Sequence, residues 1–455
     1  MDGHSEAIVD LGAIRGNVSA MIEHAGGTPL MAVVKSDGYG CGLVPTAAAA
    51  IEGGASWLAV GHVGEALRLR EAGITVPILV LLAAPDAPHR DAVAAGVDLS
   101  VGSIELLRTI GVAARAAGRP ARLHLKADTG MSRGGAPLAA WPELLTAALA
   151  GQDAGWCEIV AIWSHLACAD IPGHPSVAAQ LDAFGGALDL ARRAGVGDVI
   201  RHLANTPAAL FHPAAWFDLI RPGGGVTGLC TNPGGPPEWL RPALTVATRL
   251  VQVKRVPAGS GVSYGHRYLT AAETTLGLIP LGYNEGIPRA GTNMAEVFVA
   301  GRRRRIAGTV CMNQCVIDVG DDEIEPEDEV ILFGPGDRGE PTAQQWADLL
   351  GTISYDIVTR FTGKIPRSYS GVTDSVGARA GGTGAAASGA AGAGAGREVL
   401  WPAGGGWAAS PAWPLARSRP ARDSSCWLRR SPSAGSGCGP TRRRASRSVR
   451  SAAGR

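Results

Sequence analysis

Eight short apolar runs punctuate the first half of the chain, at 31–34, 57–60, 78–82, 98–101, 122–125, 159–163, 199–203 and 218–220. A stretch suited to a helix lies between most of them. The segment 61–73 shows the pattern: it is rich in Ala, Leu, Glu and Arg and closes on Gly73, a residue suited to a helix C-terminus. Continuous apolar strands alternating with amphipathic helices predict a parallel sheet covered on both faces. Eight such repeats within about 220 residues fit a closed (β/α)8 barrel. An open doubly wound sheet is the competing arrangement. The count of eight, and the lack of a Gly-x-Gly-x-x-Gly after any strand, favour the barrel. The predicted fold class is α/β, with an eight-stranded parallel (β/α)8 barrel over 1–234.

Past Gly228 the pattern changes. Residues 233–242 are rich in Gly and Pro and read as a linker. Beyond them, β-branched residues alternate with polar ones at 244–256. Further strand candidates lie at 275–281, 296–299, 316–319 and 329–333, separated by turn signals such as Gly334-Pro335-Gly336. A helix is expected near 342–350. These features predict a mostly-β second domain over 235–372.

Residues 373–455 are rich in Ala, Gly, Ser, Arg and Pro and show no sustained period, which predicts a disordered, low-complexity tail. This segment holds 13 Arg against 3 acids, or +10 in a chain of formal charge +2, so residues 1–372 carry −8. An acidic body is a poor nucleic-acid binder, and the Arg442-Arg443-Arg444 run reads as a solvated end. No apolar run reaches the length of a membrane span. The acidic start of the chain does not read as a signal peptide. The eight cysteines form no Cys-x-x-Cys pair, so reduced thiols and a cytoplasmic location are expected. The ten histidines show no ligand-spaced cluster, so no metal is expected.

Polar residues gather where the predicted barrel strands end. Lys35 closes the first run and opens a Gly-rich loop; a partly desolvated lysine there can lose its proton and attack an aldehyde. Lys126 to Arg133 follow the fifth run, Ser164-His165 the sixth, and His202, Asn205 and Thr206 the seventh. Arg221-Pro222-Gly223-Gly224-Gly225 follows the eighth, and its glycines either let backbone N–H groups approach a phosphate or simply make a flexible loop. Convergence of these groups on one end of a barrel marks an active site.

The segments 33–40 (Val-Val-Lys-Ser-Asp-Gly-Tyr-Gly), 126–133, 202–206, 221–223, 262–265 (Val-Ser-Tyr-Gly), 280–283 and 310–312 also stand in the order of a known family. Together they resemble the alanine racemase family over nearly the whole body, from Ala7 to about Tyr369. The resemblance implies a racemase interconverting L- and D-alanine, with D-alanine supplied to peptidoglycan. It implies that Lys35 holds pyridoxal 5'-phosphate covalently and serves as one base, with Tyr264 of a partner subunit as the other and His165 as that tyrosine's partner. Arg221 would face the pyridine nitrogen, held by His202. Tyr39, Thr206, Gly223, Gly224 and Tyr355 would surround the phosphate, with Asn205 beside them. Arg133 and the Met312 backbone would meet the substrate carboxylate. Lys126 matches a lysine that relatives carry as a carbamate, and Tyr283 and Arg289 would line the access channel. A homodimer with shared sites follows.

Three positions depart from the family pattern. Asn313 stands where Asp is usual, Gly224 follows Arg-Pro-Gly where Ile is usual, and Cys41 replaces a common His. The sequence leaves open a racemase for serine or for a broader set of amino acids. It also leaves open a non-catalytic carrier of the cofactor, although the second domain with Tyr264 argues against that. A related decarboxylase would need an acidic or Cys-containing site from its partner, and none is evident.

Overall fold

In the computed structural model, residues 4–373 are described. The predicted tail therefore lies, from 374 onward, outside the described residues.

Seven parallel strands pair in chain order: Met31–Val33, Trp57–Val60, Ile78–Val80, Asp98–Val101, Ala121–Asp128, Cys157–Trp163 and Ile200–His202. The eighth run closes the ring through backbone hydrogen bonds. Met31 N donates to Ile220 O at 2.8 Å on one side, and Asp218 N to Arg201 O at 3.1 Å on the other. Eight parallel segments thus form the expected (β/α)8 barrel. Most of their residues are buried, as strands enclosed by helices require. The helices form for legible reasons. Ile104–Ala117 starts at Ser103, whose side chain accepts from Leu106 N, and ends at Gly118 with φ 67°. Its buried Leu107, Ile110, Gly111 and Ala114 recur at helical spacing and face the sheet.

The later residues form a six-stranded mixed sheet in the order Arg302–Arg305, Glu296–Val299, Glu329–Phe333, Leu244–Arg249, Ser5–Asp10, Arg367–Ser370. A three-stranded sheet combines Gln252–Val256, Thr274–Ile279 and Cys315–Gly320. The helix Ala343–Leu350 opens on a capping box between Thr342 and Gln345.

Two elements differ from their expected form. The run 244–256 is two strands in two sheets, because the chain breaks at Leu250-Val251, where Leu250 N bonds Asp328 O. Ser5–Asp10 precedes the barrel yet pairs with Leu244–Arg249 and Arg367–Ser370, burying Ala7 and Val9 on one face. The chain's start and its last described strand are thereby neighbours beside the barrel.

Candidate active site

Lys35, Lys126, His165, His202 and Arg221 all stand at or just past the C-terminal ends of barrel strands, the rim where such barrels build their sites. The chain after Lys35 makes a left-handed turn: Ser36, Asp37, Gly38 and Tyr39 have φ of 55°, 55°, 65° and 54°. Three non-glycine residues in that region need external support. Glu65, almost fully buried, accepts from Asp37 N and from Gly61 N. Asp37 accepts from Leu43 N and pairs with Arg367, whose Nε donates to Gly40 O.

Four cations converge on this rim. Burial, then Arg133, lowers the Lys35 amine; Glu65 opposes them and Arg221 adds to the lowering. Burial, with Arg221 and Arg133, brings Lys126 to about 8. The Trp163 ring takes Lys126 Nζ at 4.4 Å and Arg221 Cζ at 4.7 Å from its centroid. Arg221 is 2% exposed, and burial lowers it to about 9, which still leaves it charged at neutral pH. It donates to His202 Nδ1 at 2.9 Å, to Ser164 O at 3.0 Å and to His165 Nδ1 at 3.1 Å. Burial and these cations hold His165 neutral, well below its ordinary range.

Beside the cations lies a cradle made by glycines. The Thr206 hydroxyl accepts from Gly223 N and Gly225 N. A β-carbon on Gly223 would strike the Tyr39 hydroxyl, and one on Gly224 would strike the Tyr355 ring, so both phenols lie against bare backbone. Tyr39 and Tyr355 pack edge to face with centroids 5.6 Å apart. Asn205 caps the helix Thr206–Phe211 by accepting from Ala208 N, and its Nδ2 donates to Leu166 O. Clustered cations, a glycine backbone flanked by the Tyr39, Tyr355 and Thr206 hydroxyls, and a lysine disposed toward its neutral form fit an anionic aldehyde bearing a phosphate, which is what pyridoxal phosphate is.

The remaining expected residues form a separate group. Tyr264, Tyr283, Arg289 and Met312 line a cavity of 880 Å³ that includes no barrel residue. Tyr264 is 74% exposed and Met312 56%. Thr309 Oγ1 donates to Tyr264 O at 2.7 Å, and Tyr283 N and Asn284 N donate to the carbonyls of Cys311 and Met312. Glu285, beneath this loop, accepts from Gly282 N and from the side chains of Asn284 and Asn313. Among the described residues, no hydrogen bond, ion pair or ring contact joins Lys35 to Tyr264 within one chain.

Several residues that shape the site escaped the sequence reading: Trp163, Glu65 and Arg367. The available signal was a bulky aromatic residue ending an otherwise aliphatic run, as at Trp163.

The family profile "Alanine racemase, N-terminal domain" matches residues 9–231, and "Alanine racemase, C-terminal domain" matches 243–369. A protein named alanine racemase from Frankia casuarinae is 55% identical over 371 residues, 81% of this chain and 97% of its own length. One of the same name from Thermobifida fusca is 53% identical over 82% of this chain and 99% of its own. The crystal structure of alanine racemase from D-cycloserine-producing Streptomyces lavendulae superposes with a TM-score of 0.81 at 48% identity, covering 83% of this chain and 99% of that one. Alanine racemase from Streptomyces coelicolor gives 0.80 at 49% identity, with coverage of 81% and 98%.

Proposed function

Because the chain belongs to the alanine racemase family and is a pyridoxal-phosphate-dependent alanine racemase, we propose that its catalytic centre is assembled from two copies, with Lys35 of one facing Tyr264 of the other. The observation that carries this reading is the split site. The barrel rim holds the lysine and the cations, while Tyr264 and Met312 stand exposed around a cavity with no barrel residue in it. Racemisation needs a base on each face of a planar centre: one removes the α-proton and the other returns one to the opposite face. A head-to-tail homodimer supplies both.

When bound, pyridoxal phosphate delocalises the negative charge left on the substrate's α-carbon. The protein supplies placement and charge. Lys35, whose amine burial and Arg133 push toward its neutral form, would both anchor the cofactor and move a proton on its own side. Arg221 would face the pyridine nitrogen, where its positive charge would oppose ring protonation and so suppress side reactions. Since Arg221 can only donate, His165 Nδ1 must accept, and neutral His165 carries its proton on Nε2. That N–H would be the donor to the phenol oxygen of the second copy's Tyr264. Tyr39, Thr206, Gly223, Gly224 and Tyr355 hold the phosphate, beside Asn205. Arg133 and the Met312 N–H take the alanine carboxylate, and Tyr283 and Arg289 line the way in. We place the enzyme in the cytoplasm, where D-alanine is made for peptidoglycan. Among the described residues no helix is long and apolar enough to cross a membrane.

Co-expression of Lys35→Ala and Tyr264→Phe chains tests the shared site. Each variant alone is expected to be inactive. A random mixture should recover about a quarter of wild-type activity, because half the dimers then carry one intact site of two. No recovery, with dimers formed, overturns the shared arrangement. Inversion of serine in preference to alanine would overturn the substrate.

A further inference from the structure

A polar chain runs through the barrel interior beneath Arg221. Arg221 Nη1 meets His202 Nδ1 at 2.9 Å, His202 Nε2 meets His124 Nδ1 at 3.0 Å, and His124 Nε2 meets Asp98 Oδ2 at 3.1 Å. The two histidines are 0% exposed and Asp98 is 1% exposed. Asp98 opens its strand, and Arg122 is the second residue of the neighbouring one, so the chain ends at the barrel mouth opposite the cation rim. There Arg122 Nε donates to Asp98 Oδ1 at 2.9 Å, and Arg122 also pairs with exposed Glu158. Barrel interiors are ordinarily filled by layers of apolar side chains, so this line of charge and imidazole calls for a reason. A buried polar network stabilises only if every member is satisfied.

The hydrogen positions follow by elimination. A guanidinium has five donors and no acceptor. His202 Nδ1, facing it, must therefore be the bare nitrogen, which leaves the His202 proton on Nε2. That N–H points at His124 Nδ1, which must be bare in turn, so His124 carries its proton on Nε2 and gives it to the Asp98 carboxylate. Every hydrogen in the chain points toward Asp98. The surroundings agree: burial, joined at His202 by Arg221 and opposed at His124 by Asp98, pushes both rings toward their neutral form. His202 is further fixed by stacking on Trp163, with an interplanar angle of 10° and centroids 5.6 Å apart, and His124 packs edge-on against Trp57.

We infer that Asp98 and His124 are positioning residues for the reaction: they lock His202 in the one tautomer that can accept from Arg221, and so fix the guanidinium against the cofactor ring. Neither residue touches cofactor or substrate. Without the carboxylate at the far end, His124 has no reason to keep its proton on Nε2. Once His124 turns, His202 follows, and an N–H then faces the Arg221 donors and pushes the guanidinium away. The inference rests on the reading that Arg221 faces the pyridine nitrogen, but the tautomers are fixed by geometry whatever Arg221 faces.

The test uses holoenzyme with 15N-labelled histidine and 15N-labelled cofactor. Histidine ring correlations, assigned by their loss in H124Q and H202Q, should show both imidazoles neutral with the proton on Nε2. A proton on Nδ1 of either ring, or a charged His124, overturns the chain. Asp98→Ala is then expected to shift the cofactor ring-nitrogen resonance and to lower kcat about tenfold with KM unchanged. Arg122→Gln breaks the same ion pair but leaves the carboxylate, and should do neither. If D98A behaves like R122Q, the positioning role is overturned. Should D98A not fold, His124→Phe removes the acceptor below His202 and is read in the same way. A ring-nitrogen resonance unmoved even in R221K would sink the reading of Arg221 itself and leave the tautomer result standing.

Discussion

Arg367 meets the Asp37 carboxylate at 2.7 Å and donates through Nε to Gly40 O at 2.8 Å, so the last described strand grips the left-handed turn that follows Lys35. Ser36, Asp37 and Tyr39 hold a backbone conformation that L-residues resist. Removing a charged partner from such a site costs about 1.5–3 kcal/mol. Arg367→Gln is therefore expected to lower the unfolding midpoint and to speed amide exchange across residues 36–42. Asp37→Asn should add little to it, since the two side chains act as a pair. Exchange at wild-type rates in R367Q would show that Glu65 and the Asp37–Leu43 bond hold the turn without the arginine.

Thr206 serves two backbone donors with one hydroxyl oxygen, taking Gly223 N at 3.0 Å and Gly225 N at 3.1 Å. Thr206→Val keeps the shape and removes the acceptor, which leaves buried N–H groups without a partner at a cost of about 1–3 kcal/mol. The cradle's backbone should loosen, so the gain in melting temperature on adding pyridoxal phosphate should shrink. Thr206→Ser should restore both quantities. Failure of that rescue would mean that the threonine methyl, packed near Gly225, is what counts.

The barrel and its rim were legible because both depend on local pattern. Apolar runs fix the strands, and Lys35, Lys126, His202 and Arg221 fall at strand ends that the runs locate. The partners in the barrel interior were not legible. Asp98 and His124 sit inside apolar runs, and nothing local says that a third strand brings His202 to meet them. Ser5–Asp10 failed for the same reason, since its neighbours lie 230 or more residues away in sequence. The four arginines of Arg302–Arg305 hid a strand, because Arg305 pairs with Glu296 across the hairpin, Arg302 and Arg304 pair with Asp322, and Arg303 donates to the carbonyls of Gly339 and Glu340, so none needs burial.

Lys126 should betray itself through pH. It titrates near 8 when folded, against 10.5 ordinarily, so between those values the unfolded chain binds more protons than the folded one. Stability then rises with pH across that window. In carbon-dioxide-free buffer, wild type should gain on Lys126→Met from pH 8 to 10.5. A neutral amine is also what carbon dioxide adds to, releasing a proton and leaving a carbamate anion that can pair with Arg133. With 13C-bicarbonate at pH 8, a carbamate carbonyl resonance is expected in wild type and not in K126M. Equal spectra would leave Lys126 as an ordinary cation over Trp163.

Asn313 decides how the substrate-side loop carries charge. Burial alone would raise the Glu285 carboxyl, yet the donations from Asn284, Gly282 N and Asn313 together hold it below its ordinary value. Asn313 Nδ2 lies 2.6 Å from Glu285 Oε1. Asn313→Asp, which restores the residue usual at this place in the resembling family, sets two carboxyl groups at that separation, and both cannot ionise. One must keep its proton above the normal range, so the folded protein binds more protons than the unfolded chain between about pH 4 and the new value. Stability is then lost as pH rises through that interval. N313D should match wild type near pH 4 and fall about 2 kcal/mol below it at pH 8. Thermal unfolding of both proteins across this range measures the difference. KM for alanine should rise over the same interval, since the loop that strains is the one presenting Met312. A difference independent of pH would mean that the aspartate turns away from Glu285, and that the asparagine here is a neutral replacement rather than the donor that keeps Glu285 ionised.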